Sequence, residues 1–122
     1  AVRYLENSTE KQKCVFETEE GIATIEIEDI YYIEYSSRRV IIHTAKGNYS
    51  ATYSLKELYE KFSKNNFESP HKSFIVNLLY VKRIKGFDIL LENGDIVPLA
   101  QKRAVEFKNK FNDFLQSTFD RI

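Results

Sequence analysis

A mainly β, antiparallel fold with one short central helix and a second helix at the C-terminus is what this sequence predicts. Three observations carry the prediction. Runs of three to six β-prone residues, broken by turn residues, recur from Cys14 to Pro98; apolar residues fall at helical spacing only around Leu55–Phe62 and after Ala100; and Asn93-Gly94 sits between two such runs. With 122 residues, of which 43% are hydrophobic, the chain can bury roughly two-thirds of its unfolded surface in one core but not in two. One domain over 1–122 is expected.

Cys14-Val15-Phe16 and Ile22 to Ile27, separated by Glu19-Glu20-Gly21, read as a first hairpin, with Ile25, Ile27 and Ile30 turned to the core. Glu28-Asp29 marks a turn before the strand Tyr31 to Tyr35. A polar tip, Ser36-Ser37-Arg38-Arg39, leads to the strand Val40 to Thr44, and a Lys46-Gly47-Asn48 turn leads to the strand Tyr49 to Tyr53. Ser54-Leu55-Lys56-Glu57 has the form of a capping box, and Tyr53 and Leu58 are spaced as a hydrophobic staple. A helix of about three turns should therefore start here, bury Leu55, Leu58, Tyr59 and Phe62, and stop near Asn65-Asn66. Ser73 to Leu78 is a short apolar run, with a turn at Asn77 to Tyr80 leading on to Val81 and Ile84. Phe87 to Leu91 and Ile96-Val97 flank Asn93-Gly94, a pair that suits a two-residue hairpin turn. Pro98 cannot donate to a ladder, so the last of nine or so strands ends there or lies at an edge. Ala104, Phe107, Phe111, Phe114, Leu115 and Thr118 then recur at helical spacing.

Charge is unevenly distributed. The formal net charge is zero, yet residues 1–34 hold three Lys/Arg against nine Asp/Glu, while residues 35–122 hold fifteen against nine. Pro70 to Lys85 carries Lys72, Lys82, Arg83 and Lys85 with no acid, so one side of the fold should present a positive field to an anionic partner. No stretch reaches the ~20 apolar residues of a membrane helix, and the first residues lack the apolar core of a signal peptide. The lone Cys14 can form no internal disulfide, which fits a reducing cytoplasm. The absence of Met at position 1 suggests a piece of a longer chain.

Enzyme readings fail on inventory. His43 and His71 stand in no metal-binding or acid-base motif, and there is no Gly-rich phosphate loop and no nucleophile elbow. His43, among apolar strand neighbours, reads as structural. Glu17, Glu19, Glu20, Glu26 and Glu28 read as a solvated face. No cofactor is expected.

Four polar tips remain, and each has a plain alternative as solubilising charge. Arg38 and Arg39 at a loop tip can reach phosphates or the acceptor edge of guanine. In His71-Lys72-Ser73 a cation lies between two hydrogen-bonding side chains, which suits phosphate positioning and base contact. Lys82-Arg83-Ile84-Lys85 suits backbone contact at most. Gln101, Lys102 and Arg103 open the final helix, where cations oppose the helix dipole unless an anion is present. Binding residues commonly sit on such loops over a rigid scaffold. There is no helix-turn-helix candidate, so any duplex recognition must run through strands and loops. A protein-interaction or sensory module using the acidic first third is the main rival reading, and RNA binding through exposed aromatics the next.

Ile25-Glu26-Ile27-Glu28-Asp29-Ile30-Tyr31-Tyr32-Ile33-Glu34, Ser54-Leu55-Lys56-Glu57-Leu58, Phe67 through His71-Lys72-Ser73-Phe74-Ile75-Val76-Asn77, and Leu91-Glu92-Asn93-Gly94 before Val97-Pro98-Leu99 together resemble a LytTR-type DNA-binding domain over about residues 14–116. The resemblance implies an elongated stack of three small antiparallel sheets whose loops enter successive major grooves of promoter direct repeats. It also implies the output part of a bacterial two-component response regulator, below a receiver domain served by a histidine kinase, with dimerisation on DNA. Carried over, Arg38-Arg39 would enter one groove, His71-Lys72-Ser73 would lie near its centre, and Lys102-Arg103 would serve the other groove. Asn77 would hold the turn after its strand. Two departures bear on target choice: Ser69 stands where many relatives have Arg, and Ala100-Gln101 where a Ser-Arg pair is common.

Overall fold

A computed structural model describes residues 12–119. The earliest part of the acidic first third and the last three residues fall outside the described residues. Ten strands follow in order: β1 (Lys13–Thr18), β2 (Gly21–Glu26), β3 (Ile30–Ser36), β4 (Arg39–Thr44), β5 (Gly47–Ala51), β6 (Phe67–His71), β7 (Phe74–Asn77), β8 (Val81–Lys85), β9 (Asp88–Leu91) and β10 (Ile96–Pro98). Helix α1 (Leu55–Phe62) separates β5 from β6, and α2 (Ala104–Thr118) closes the fold.

All pairing is antiparallel. One sheet runs β2-β1-β5-β4-β3-β7-β6 and a second runs β10-β9-β8. The first would be two sheets but for one residue pair, Thr18↔Ala51, that joins β1 to β5. The three small sheets implied by the resemblance are thus a hairpin, a five-stranded centre and a three-stranded sheet, with the first two stitched together.

Alternation along the strands divides the core. Ile33, Val40, Ile42 and Ile75 face one way and pack with Phe16, Ile25, Leu58, Phe62 and Phe67. Tyr32 and Val76 face the other way and pack with Ile89, Leu91, Val97, Phe107 and Phe114. In α1 the capping box is complete: Glu57 N–H donates to Ser54 Oγ (3.1 Å) and Ser54 N–H to Glu57 Oε1 (2.9 Å). The helix continues as a 3-10 turn over Ser63–Asn65 and ends at Asn66, whose φ of 67° is left-handed, as the sequence indicated. In α2 the buried stripe is Ala104, Phe107 and Phe114, while Thr118 is exposed.

Two local expectations need correcting. β6 was not foreseen as a strand, because Glu68-Ser69-Pro70 is poor in β-formers. It forms at the sheet edge, where the register slips between Glu68 and His71 and Pro70 needs no ladder partner. The β9–β10 turn is three residues long rather than two: Gly94 N–H donates to Leu91 O and Leu91 N–H to Asp95 O, both at 2.9 Å. Of the Asn-Gly pair only Gly94 takes a positive φ (93°), while Asn93 Oδ1 accepts from Asp95 N–H (3.0 Å). The asparagine side chain thus closes the turn that its backbone was expected to make.

Candidate nucleic-acid interface

The strand order brings four turns to one end of the fold. Ser37 and Arg38 connect β3 to β4, and Lys72 and Ser73 connect β6 to β7. Tyr35 N–H donates to Ser73 O (2.9 Å), which sets these two turns side by side. Ala100 N–H donates to Pro70 O (2.9 Å), which brings Gln101 and Lys102 beside the β6–β7 turn. Leu99 N–H donates to Phe87 O (2.9 Å), so the β8–β9 turn at Gly86 and Phe87, next to Lys85, completes the row. Arg38, Arg39, Lys72, Lys85, Gln101 and Lys102 are all exposed there.

The opposite ends of the same strands carry Glu28, Asp29, Glu92 and Asp95, with Lys46 paired to Asp29 at 3.4 Å. The zero net charge therefore hides a partial separation by end, with most of the exposed cations of these strands where the turns gather, although Glu19, Glu20 and Asp88 also stand at that end. Such a separation produces a directional field at the cationic end.

Individual side chains in the row are held differently. Ser37 and Arg38 have φ of 55° and 66°, and a left-handed conformation costs a non-glycine residue roughly 1–2 kcal/mol. A two-residue turn of this hand matches the twist of its strands but would ordinarily use Asn-Gly. Retaining Arg here at a backbone cost favours a use for its side chain. Arg39 forms an ion pair with Glu19 of the β1–β2 turn, a contact no local pattern foretold. His71 Nδ1 accepts from Ser73 N–H (3.1 Å), so the neutral ring carries its proton on Nε2. Lys72 is exposed at the turn's apex, while Ser73 is half-buried with its carbonyl engaged by Tyr35.

Arg103 differs from its two neighbours. Its Nη1 donates to Ser69 Oγ (2.7 Å) and Ser69 O (3.3 Å), pinning the start of α2 to the edge strand. Ser69 Oγ in turn donates toward His71 O (2.9 Å) and Phe74 O (3.0 Å), bracing the base of the Lys72-Ser73 turn. Nothing in the sequence pointed to Ser69 as a brace. Beside it, Leu55, Tyr59, Ile75 and Phe107 line a groove of about 470 Å³ with Lys56, Lys72, Arg103 and Lys110 at its sides. Glu68 in that groove accepts from Tyr59 Oη (3.0 Å) and Lys110 Nζ (3.3 Å). Burial and then the Glu68 bond raise the Tyr59 pKa.

Away from the row, His43 Nε2 lies 2.7 Å from Glu34 Oε1 and its ring stacks on Tyr32 at 4.2 Å, the structural role expected of it. Tyr32 Oη donates to Asp95 Oδ2 (3.0 Å), linking the central sheet to the β9–β10 turn. Burial, then that bond and the negative charge of Asp95, push the Tyr32 pKa well above the ordinary tyrosine value. Asn77 is buried, donates from Nδ2 to Ile30 O (3.0 Å) and accepts at Oδ1 from Leu79 N–H (3.0 Å). No group of three or more His, Cys, Asp or Glu suited to a metal occurs among the described residues. No helix there is long and apolar enough to cross a membrane.

A β scaffold that gathers cationic turns at one end has the charge layout of a nucleic-acid-binding domain. The chain belongs to the LytTr DNA-binding domain family, which matches residues 20–112. Among curated relatives it is 27% identical over 106 residues to the sensory transduction protein LytT of Bacillus anthracis, covering 83% of this chain and 43% of that protein. It is 28% identical over 114 residues to LytT of Enterococcus faecalis (86% and 47%), and 27% over 96 residues to the transcriptional regulatory protein YpdB of Escherichia coli (74% and 39%). The chain thus spans less than half the length of these relatives. A solved chain described as the LytTr DNA-binding domain of a methyl-accepting/DNA response regulator from Bacillus cereus superposes with a TM-score of 0.72 at 24% identity, covering 83% of this chain and 97% of that one.

Proposed function

We propose that this domain binds duplex DNA sequence-specifically by inserting its turns into successive major grooves, as the output part of a bacterial two-component response regulator acting on promoter direct repeats. The observation that carries the reading is the shared end of the four turns, joined by the Tyr35–Ser73, Ala100–Pro70 and Leu99–Phe87 hydrogen bonds. Arg38 and Arg39 serve one groove, His71, Lys72 and Ser73 lie near the centre, and Gln101 and Lys102 serve the other. The Nε2–H of His71 is a donor suited to guanine N7 or O6, and Arg38 can engage the same edge with two bonds. Arg103 works at one remove: a guanidinium stands at Ser69, where many relatives carry Arg, but it arrives from the start of α2. A receiver domain and a cognate histidine kinase belong to the same reading, as does a cytoplasmic location.

The test is selection from a random duplex pool followed by anisotropy titration of the recovered duplex at several salt concentrations. A preference of at least a thousandfold over scrambled duplex is expected, with affinity falling steeply as salt rises. Equal affinity for scrambled duplex, or tighter binding to the matching RNA, refutes the reading.

A further inference from the structure

The row of turns has a direction, and the two flanks of the domain at its ends carry opposite chemistry. At one end the β1–β2 hairpin hangs from the β5 edge of the main sheet. At the other, the three-stranded sheet is tied to the β6 edge through Ala100 and Pro70. In the hairpin, Val15 pairs with Thr24 and Glu17 with Ile22, so these four share the face turned away from Phe16 and Ile25. In the three-stranded sheet, Arg83, Leu90 and Ile96 share one face, with Lys85 and Asp88 beyond them, turned away from Ile89 and Val97.

Each flank exposes apolar side chains that a solvated sheet face does not need. Val15 and Ile22 are 65% and 78% exposed, and Phe87 and Ile96 are 52% and 60% exposed. Three of the eight large exposed hydrophobics among the described residues thus lie on these two faces, and a fourth, Phe87, stands in the turn beside the second. Around the first pair stand Glu17, Glu19 and Glu20, with Glu19 paired to Arg39; around the second stand Arg83 and Lys85, with Asp88 opposite Lys85, so the first flank is net acidic and the second net basic. The order along the strands is alike. Counting back from the turns, Glu17 and Ile22 precede Val15 on one flank, and Lys85 and Phe87 precede Arg83 and Ile96 on the other.

We infer that these flanks are the two halves of a head-to-tail contact between copies of this chain bound side by side on tandem DNA sites. The inference rests on the DNA reading above, because the duplex supplies the alignment. Copies on direct repeats are related by a translation with a screw rotation along the duplex, so their contact must be heterologous: one copy's β1–β2 hairpin meets its neighbour's three-stranded sheet. Copies on inverted repeats would bring like flank to like, acid against acid or cation against cation. A contact of this size is weak alone, and the shared duplex makes it effective by raising local concentration. Specificity of orientation comes from the charges, and the four apolar side chains supply the buried centre.

The experiment compares binding to duplexes bearing one copy of the selected site, two direct copies, or two inverted copies, and reads cooperativity as the ratio of observed two-site affinity to that expected from one site. Changes in single-site affinity cancel in this ratio. Cooperativity of about tenfold is expected on direct copies and none on inverted copies. It should vanish for Glu17→Lys/Glu20→Lys and also for Arg83→Glu/Lys85→Glu. It should return when all four changes are made in one chain, because both flanks then exchange sign together. Independent binding to direct copies with normal single-site affinity overturns the contact and leaves the DNA reading intact, and so does failure of the four-fold variant to recover. Absence of any single-site preference refutes the DNA reading, and the contact falls with it.

Discussion

Replacing Asn77 with alanine separates a folding role from a DNA role at a position that belongs to the most family-like stretch of the chain. The side chain is 3% exposed and spans two elements, donating to the carbonyl of Ile30 and accepting from Leu79 N–H. Ile30 is wholly buried, so its carbonyl has no water to turn to. Leaving such an acceptor unsatisfied costs about 1–3 kcal/mol. Losing the Asn77 cap over the 3-10 turn Leu78–Tyr80 adds about 1 kcal/mol, a typical Asn-to-Ala capping loss. The sum, about 3 kcal/mol, is a large part of the 5–15 kcal/mol on which a domain of this size depends. Urea denaturation followed by far-ultraviolet dichroism or tyrosine fluorescence measures it directly, the chain having eight Tyr and no Trp. Asn77→Asp keeps the acceptor for Leu79 but sets a carboxylate against the Ile30 carbonyl, so it should be at least as damaging at neutral pH and partly recover in acid, where the protonated group can donate. A stability loss under about 0.5 kcal/mol in the alanine variant, with weakened DNA binding, would refute the reasoning and move Asn77 into the interface.

Glu19→Gln releases Arg39 from its ion pair, and single-site DNA affinity should rise about threefold at low salt with folding stability changed by less than about 1 kcal/mol; unchanged or lower affinity in anisotropy titrations would count against a phosphate or base contact by Arg39. Lys72→Ala should weaken DNA binding by about 1–3 kcal/mol without altering the urea midpoint, and equal affinity for wild-type and variant removes the β6–β7 turn from the interface. Because the folded-state pKa of Tyr32 is raised, its stabilising effect is complete below the unfolded tyrosine value of about 10 and is lost as pH climbs from there toward the folded value. Denaturation midpoints should therefore fall above about pH 10, and Tyr32→Phe should lessen that fall without abolishing it, since burial also raises Tyr59 and Tyr80; an identical alkaline slope in the variant would show that ionisation of Tyr32 does not contribute to it.

Elements whose cause is local were legible in the sequence. The capping box at Ser54, the β1–β2 hairpin, the Asn66 stop and the amphipathic last helix each follow from residues within a few positions of one another. What stayed hidden depends on distant partners. β6 exists because β7 offers a template and the sheet edge tolerates Pro70, and neither fact is visible in Glu68-Ser69-Pro70 itself. The pairing of Arg39 with Glu19 joins residues twenty positions apart, and Arg103 reaches Ser69 across 34. A list of cations read from the chain could not tell Arg103, spent on bracing, from Lys102, left in solvent. Likewise, that part of the early acidic excess meets the later cations at one end of the fold, as Glu19 meets Arg39, is visible only once the topology is known.

The lone Thr18↔Ala51 step marks a seam held mostly by side chains and not by a ladder. A second backbone bond crosses it, Glu19 N–H to Ser50 O (2.8 Å), and side chains do the rest: Glu17 N–H donates to Tyr53 Oη (2.9 Å), Asn65 Nδ2 to Gln12 Oε1 (2.6 Å), Arg39 pairs with Glu19, and Phe16 packs on Tyr53 and Phe62 at ring separations of 5.7 and 6.0 Å. The hairpin therefore depends on side chains distant in sequence for its place against the five-stranded body.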